Sequence, residues 1–390
     1  MIKRIKIDNF KSLNDFTIDL KPLTVIVGNN AMGKSSILQA IAFLANCTVD
    51  DFGIILERRN WTVSNVKSRV GNANNSRISF ETIVQLGEDE LCWIMNLQTN
   101  VKKNTIHLVS ESIRDMTNDK LLLDYKKVSG GFLKAGDMRI VIPDNFVVSS
   151  SCLKIIRTLK SADERLRRLA LFFADSASFE LLSPKDMRLS SRGEVKNIGE
   201  SGRNLPSFIK RMNDQQKKSF MSKVRKILGE RISDVSASIP GRSGWTQINI
   251  KEHYEDGDIE FSSREISDGI LRVLAFVAIS EIEPSDAVFL LDEIENGINV
   301  DYAEPLMGVL KDMYSQSSHQ LIVTTHSTVF LDYVNSDEIV YLYRDKNGVT
   351  KSKYMFDNEI LKEKLEYMYP GEVMLNMSQS EIAQMLLKDN

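Results

Sequence analysis

The sequence lacks any apolar run approaching the roughly 18–20 residues that a membrane-crossing helix needs. Its opening, MIKRIKIDNF, alternates polar and apolar residues where a secretory leader would carry an apolar core. A cytoplasmic protein with no membrane association is the expectation. Cysteine is scarce: Cys47, Cys92 and Cys152 are odd in number, far apart and without C-x-x-C spacing, which argues against a disulfide framework or a zinc site. Excess positive charge is missing too, the formal net charge being −3, so nucleic acid would have to meet a local patch. The absence of heptad runs and internal duplication speaks against long coiled-coil arms. What is present, 42% hydrophobic and 26% charged residues over 390 positions, suits one large α/β domain with an inserted lobe, or two domains.

Residues 28–36 read GNNAMGKSS, a complete G-x-x-x-x-G-K-S loop between the apolar run 23–27 and the helix-like SSILQAIAFL. Gly28 and Gly33 let successive backbone N–H groups turn inward around an anion, with Asn29, Asn30, Ala31 and Met32 between them, and the helix that follows adds its positive end. This loop is expected to bind a nucleotide. Lys34 would reach the β- and γ-phosphates, Ser35 would ligate Mg²⁺, and Ser36 completes the loop.

Three further segments carry chemistry. In AVFLLDEIENG, residues 287–297, an apolar strand delivers Asp292 and Glu293 to its C-terminal end, where open α/β sheets bind ligands. Asp292 is the expected Mg²⁺ partner and Glu293 the expected base for an attacking water, the alternative being an ordinary helix start. LIVTTHS, residues 321–327, is a second apolar strand and ends in His326, either a structural histidine or a donor toward a γ-phosphate. In EISDGILR, residues 265–272, Ser267 and Gly269 open a helix, either as a plain N-cap or as an anion contact.

Around these segments the periodicity predicts an N-terminal sheet from residues 2–8, 16–20 and 23–27, a hairpin over 76–97, and strands near 105–109 and 139–148. Residues 150–235 read as a mostly helical inserted lobe containing a polar loop at 190–204. A hairpin follows around EDGD, and then strands at 287–291, 321–325 and 339–343 separated by helices, the pattern of a parallel core sheet. The expected division is 1–149 and 236–350 for the two parts of the nucleotide domain, 150–235 for the lobe and 351–390 for a helical tail. Lys210, Arg211, Lys217, Lys218, Lys223, Arg225 and Lys226 form either a phosphate-contacting stripe for DNA or a solvated helix face.

The four segments, with 258 positions from Lys34 to Asp292 and 34 from Asp292 to His326, resemble the ATPase heads of the ATP-binding-cassette (ABC) superfamily. GNNAMGKSS is similar to Walker A, ISDG to the signature, FLLDE to Walker B and TTHS to the switch-histidine loop. IDNFKSL and DEIENGIN resemble segments of the RecF-like, SMC-like and overcoming-lysogenization-defect (OLD) ATPases, whereas Asp268 and Ile270 depart from the transporter signature. The resemblance implies an ABC-type P-loop head, Mg²⁺-dependent ATP hydrolysis and a homodimer, or higher even oligomer, in which one signature closes on the Walker A of its partner. It also implies a phosphate contact from Lys11, which otherwise reads as a solvated strand-end lysine. Gln85 is a candidate for the Q-loop residue, and the lack of an N/T-K-x-D motif favours ATP over GTP. Only 64 residues follow His326, so no nuclease module of its own is expected. The resemblance points to the ATPase of a bacterial anti-phage system controlling a separate nuclease or Toprim-like effector. A RecF-like DNA-repair ATPase and an ATP-gated scaffold are the alternatives.

Overall fold

Two sheets of contrasting pattern organise the chain, whose computed structural model describes residues 1–70, 75–127, 132–135, 138–141, 147–238, 244–283, 286–316 and 319–388. The first sheet is antiparallel and eight-stranded, in the order Phe16–Asp19, Ile2–Asp8, Arg77–Leu86, Asp89–Asn100, Thr105–Asp115, Lys120–Lys126, Phe132–Ala135, Met138–Val141. Its strands alternate buried and exposed residues, as Arg77–Leu86 shows along its whole length, because one face meets the core and the other meets water.

The second sheet is six-stranded, in the order Ala177–Ser178, Ala287–Leu291, His319–Thr324, Leu23–Gly28, Ile339–Arg344, Thr350–Tyr354. Its first five strands are parallel, and the last closes an antiparallel hairpin. Leu23–Gly28, Ala287–Leu291 and His319–Thr324 are buried at every position, so no polar alternation marks them. Successive side chains instead enter two different cores. Ile26, Val288, Leu290, Ile322, Val340 and Leu342 face the antiparallel sheet and helix Lys34–Cys47. Val25, Val27, Phe289, Leu291, Val323 and Tyr341 face the opposite layer, with helices Asp268–Ile279 and Ala303–Gln316. The fold is the mixed α/β architecture of an ABC-type head expected above.

Within 150–235 the chain serves two places. Helix Glu164–Asp175 packs against helix Lys34–Cys47 and strand Ala287–Leu291, and Ala177–Ser178 then adds an edge to the parallel sheet. Helices Leu205–Arg211 and Asp214–Leu228 pack on a three-stranded antiparallel sheet, Ile232–Ala237, Ile248–Tyr254 and Gly257–Ser262. The strand expected at 139–148 is shorter, Met138–Val141, and 142–146 lie outside the described residues.

Candidate nucleotide site

The parallel strands Leu23–Gly28, Ala287–Leu291 and His319–Thr324 are neighbours, so the phosphate loop, the carboxylates and the histidine emerge at the same sheet end. The loop has the backbone its glycines imply: φ is +142° at Gly28, +64° at Ala31 and +104° at Gly33. A Cβ on Gly28 would lie 2.6 Å from the Leu342 carbonyl oxygen, and one on Gly33 2.8 Å from Ser12 Oγ. Gly28 is therefore required by close approach to backbone as well as by dihedral, and Gly33 by its dihedral. Helix Lys34–Cys47 starts at Gly33 with no side-chain cap and no acid in its first turn. Its first N–H groups thus remain available for an anion. Lys34 Nζ donates to the carbonyls of Gly28 (2.8 Å) and Asn29 (3.0 Å). Burial lowers the Lys34 pKa, opposed by the carboxylates of Asp292, Glu293 and Glu295, which lie within electrostatic reach. Asn30 and Ala31 are exposed, Asn29, Met32, Ser35 and Ser36 half-buried.

The carboxylate turn is stitched to the histidine strand. The Thr324 hydroxyl donates to Asp292 and accepts from the Glu293 N–H at 2.9 Å. Glu293 is exposed and sits at φ +48°, a left-handed conformation that a non-glycine residue adopts at a cost. Glu295 accepts from the Thr325 hydroxyl (2.7 Å) and from the His326 N–H (2.6 Å). The His326 side chain is exposed beside this turn. Sequence patterning did not find Thr324, Glu295, Arg344, whose Nη2 donates to the Ala31 carbonyl at 2.8 Å, or Thr350, which donates to the Met32 carbonyl at 3.0 Å. Glu295 and Thr324 left a signal, as the second glutamate of DEIENG and the first threonine of TTHS.

Ser267 caps helix Asp268–Ile279 by accepting from the Ile270 N–H at 3.3 Å, and Asp268 pairs with Arg188 at 2.6 Å. Gly269 has a packing reason within the chain, since a Cβ there would lie 2.7 Å from the Gly297 carbonyl oxygen. Arg272, four residues into this helix, lies against Gly297 with Asp268 and Glu293 in electrostatic reach, and burial lowers its pKa.

Lys11 and Gln85 lie in contrasting surroundings. Lys11 holds its ammonium 3.8 Å from the Trp61 ring centre. Burial, reinforced by neighbouring Arg59, lowers its pKa to about 8. Arg59 is buried in ion pairs with Glu180 and Glu200. The next residue, Ser12, donates to Ser36 Oγ of the phosphate loop at 3.0 Å. Gln85 stands apart from the site: its amide donates to the carbonyls of Gly87 (2.7 Å) and Asp89 (3.3 Å), closing a hairpin turn of the antiparallel sheet.

Part of the basic stripe makes internal contacts, while Lys210, Lys218 and Lys226 are exposed. Lys223 pairs with Glu281 at 2.6 Å and Lys217 with Asp234 at 3.8 Å. Arg225 donates to the carbonyls of Ile232 (3.1 Å) and Ser233 (2.7 Å), and Arg211 to that of Val195 (2.5 Å).

A family profile described as "AAA domain" matches residues 4–236, more than half of the chain. The chain belongs to this AAA-domain family. A second profile, "AAA domain, putative AbiEii toxin, Type IV TA system", matches residues 153–332. The AAA-domain chain is also similar to the OLD nuclease of Thermus scotoductus, 51% identical over 41 residues. That match spans 10% of this chain and 8% of the nuclease. Among solved structures it is similar to an SMC head bound to the C-winged helix domain of ScpA, with a TM-score of 0.55 and 16% identity over 90% of this chain and 97% of that one. The SMC head domain from Thermotoga maritima aligns with a TM-score of 0.46 and 13% identity over 90% and 98%. The AAA-domain family and the SMC-head-like fold agree with an ABC-type ATPase head, a class that implies nucleotide hydrolysis. No helix among the described residues is long and apolar enough to cross a membrane.

Proposed function

We propose that the protein binds and hydrolyses Mg²⁺·ATP at the sheet end just described. The observation that carries this is the uncapped start of helix Lys34–Cys47, with Lys34 held on loop carbonyls and Asp292, Glu293 and Glu295 within its field. The residues fit the group. Gly28 to Ser36 would surround the phosphates, Lys34 would exchange its carbonyl partners for phosphate oxygens, and Ser35 with Asp292 would hold the metal. Mg²⁺, when bound, supplies neutralisation of charge on the transferring phosphoryl group. Glu293, displayed in a strained turn and exposed, would take a proton from the attacking water, and His326 would donate to the γ-phosphate.

In this reading two heads form composite sites, the signature start of one closing on the phosphate loop of the other. Ser267 and Asp268 are exposed for such a contact, while their own bonds run to Ile270 and Arg188. The domain ranges 1–149, 150–235, 236–350 and 351–390 remain our division of the chain. The AbiEii description and the OLD match support a place in bacterial defence, with nucleotide state passed to a separate effector. Lys223 and Arg225 are engaged in internal contacts, while Lys210, Lys218 and Lys226 stay exposed, so the DNA-repair alternative rests on those three.

Mixing two inactive variants tests the composite site. Lys34→Ala removes phosphate binding, and Ser267→Arg obstructs the opposing head while leaving ATP binding intact. A heterodimer keeps one site with both parts intact, so mixing should return ATPase activity and ATP-dependent association. Recovery of neither would show that the site is complete within one chain.

A further inference from the structure

The catalytic reading leaves Glu295 without a task, although it makes two of the most specific contacts at the site. Its Oε1 accepts from the His326 N–H at 2.6 Å and its Oε2 from the Thr325 hydroxyl at 2.7 Å. Glu295 belongs to the turn that carries Glu293, closed by Asn296 N–H to Glu293 C=O at 2.9 Å and Ile298 N–H to Glu295 C=O at 3.0 Å. Thr325 and His326 end the neighbouring strand, which itself hydrogen-bonds to Leu23–Gly28 ahead of the phosphate loop. One half-buried carboxylate therefore bridges the base-bearing turn and the histidine-bearing loop.

The other bonds between these segments stop short of His326. Thr324 binds Asp292 and Glu293 through its hydroxyl, and its carbonyl accepts from the Ile294 N–H at 3.3 Å. Since the His326 side chain is exposed, the packed core does not set its direction. The backbone that bears it is held by Glu295 at the His326 N–H, by the Thr325 N–H on the Ile26 carbonyl at 3.3 Å and by the Ser327 N–H on the Thr325 hydroxyl at 3.1 Å, and of these three it is Glu295 that ties it to the Glu293 turn. Two bonds to an ionised acceptor are short and directional.

We propose that Glu295 is a positioning residue which fixes the His326 backbone relative to Glu293, so that histidine and base meet the same phosphoryl group. This rests on the hydrolytic reading of the site. Because a misplacement of about 1 Å costs on the order of 10²-fold in rate, loss of the bridge acts on turnover more than on nucleotide capture, which belongs to Gly28–Ser36.

The test uses the full chain as wild type, His326→Ala, Glu295→Ala, Glu295→Gln and the double variant Glu295→Ala/His326→Ala. It measures kcat and KM for ATP, titration with a fluorescent ATP analogue, and thermal melting. Glu295→Ala should lower kcat roughly 10- to 100-fold, with KM and analogue affinity within about twofold of wild type. Glu295→Gln keeps an acceptor for the His326 N–H and a donor for the Thr325 hydroxyl, so it should recover much of the loss. The double variant should be no slower than His326→Ala alone, because residues acting as a unit are not additive. Unchanged kcat in Glu295→Ala, a loss confined to KM, or losses that multiply in the double variant would each overturn the inference. Should Glu295→Ala melt below the assay temperature, Glu295→Asp decides. It keeps the charge but draws the carboxylate back by one methylene, and unchanged kcat in that variant also overturns the inference. If His326→Ala turns over like wild type, the underlying reading of His326 fails instead, whatever Glu295 does.

Discussion

Helices Lys34–Cys47 and Asp268–Ile279 begin with opposite chemistry. The first starts in a left-handed glycine, without a side-chain cap and without an acid in its first turn. The second is capped by Ser267, carries Asp268 in its first turn and ties that acid to Arg188. A helix start needs its free N–H groups satisfied, and these two ends meet the need differently. The first end leaves them uncapped, while at the second Ser267 takes up one of them, the Ile270 N–H at 3.3 Å. The first end is open to an anion, and the second carries its own cap and acid. The same contrast separates the charged residues. Lys34 and Glu293 make no ion pair among the described residues, whereas Lys223 and Lys217 in the lobe do.

The largest effect that sharpens this comparison falls on the open side. Glu293→Gln keeps the shape of the turn but removes the base, so ATP hydrolysis should fall by roughly 10² to 10⁴, with melting temperature and nucleotide affinity near wild type. Near-normal turnover in a steady-state assay would reduce Glu293 to a turn residue. On the capped side the loss should appear in stability. Gly269→Ala drives a methyl group against the Gly297 carbonyl oxygen, 2.7 Å from the ideal Cβ, and overpacking of this kind costs about 1–3 kcal/mol. Chemical denaturation should show that loss while a nucleotide titration of the monomer stays unchanged. A Gly269→Ala protein as stable as wild type would mean that the helix start shifts freely, and the contrast would fail.

The smallest effect belongs to the rim. The Lys11 ammonium over Trp61 has its pKa lowered to about 8 by burial, then by Arg59. Below about pH 8 Lys11 is charged in both folded and unfolded chains. From there to the ordinary lysine value of 10.5 the unfolded chain holds a proton that the folded chain has released, so this residue makes stability rise with pH across that window. Lys11→Met abolishes the dependence. Wild type should therefore gain stability relative to the variant between about pH 8 and 10.5, an effect reduced by water at a partly exposed site. Parallel curves for the two proteins in denaturant titrations at pH 8 and pH 10 would refute this.

Much of the head was legible because its signals are local. GNNAMGKSS specifies left-handed glycines and a helix start within nine residues, and the runs at 23–27, 287–291 and 321–325 announce strands buried on both faces. Ser267 as a cap follows from the residues beside it. Ala177–Ser178, by contrast, is a two-residue edge with no period to detect. Helix Glu164–Asp175 shares the helical pattern of 205–228 but packs on the central sheet. Gln85 was drawn toward the site by residue type alone, and only strand pairing shows that it closes a hairpin.

The sequence by itself determined the glycine loop, the buried strands and the order in which Asp292, Glu293 and His326 emerge, because backbone dihedrals and hydrophobic periods depend on residues a few positions apart. Tertiary structure decided which charges remain available. Glu295 reaches Thr325 and His326 across about thirty residues, Arg188 reaches Asp268 across eighty, and Arg344 reaches Ala31 across more than three hundred. No local pattern records such contacts. They exist because parallel strands bring distant segments to one sheet end, where a carboxylate must either find a donor or stay in water.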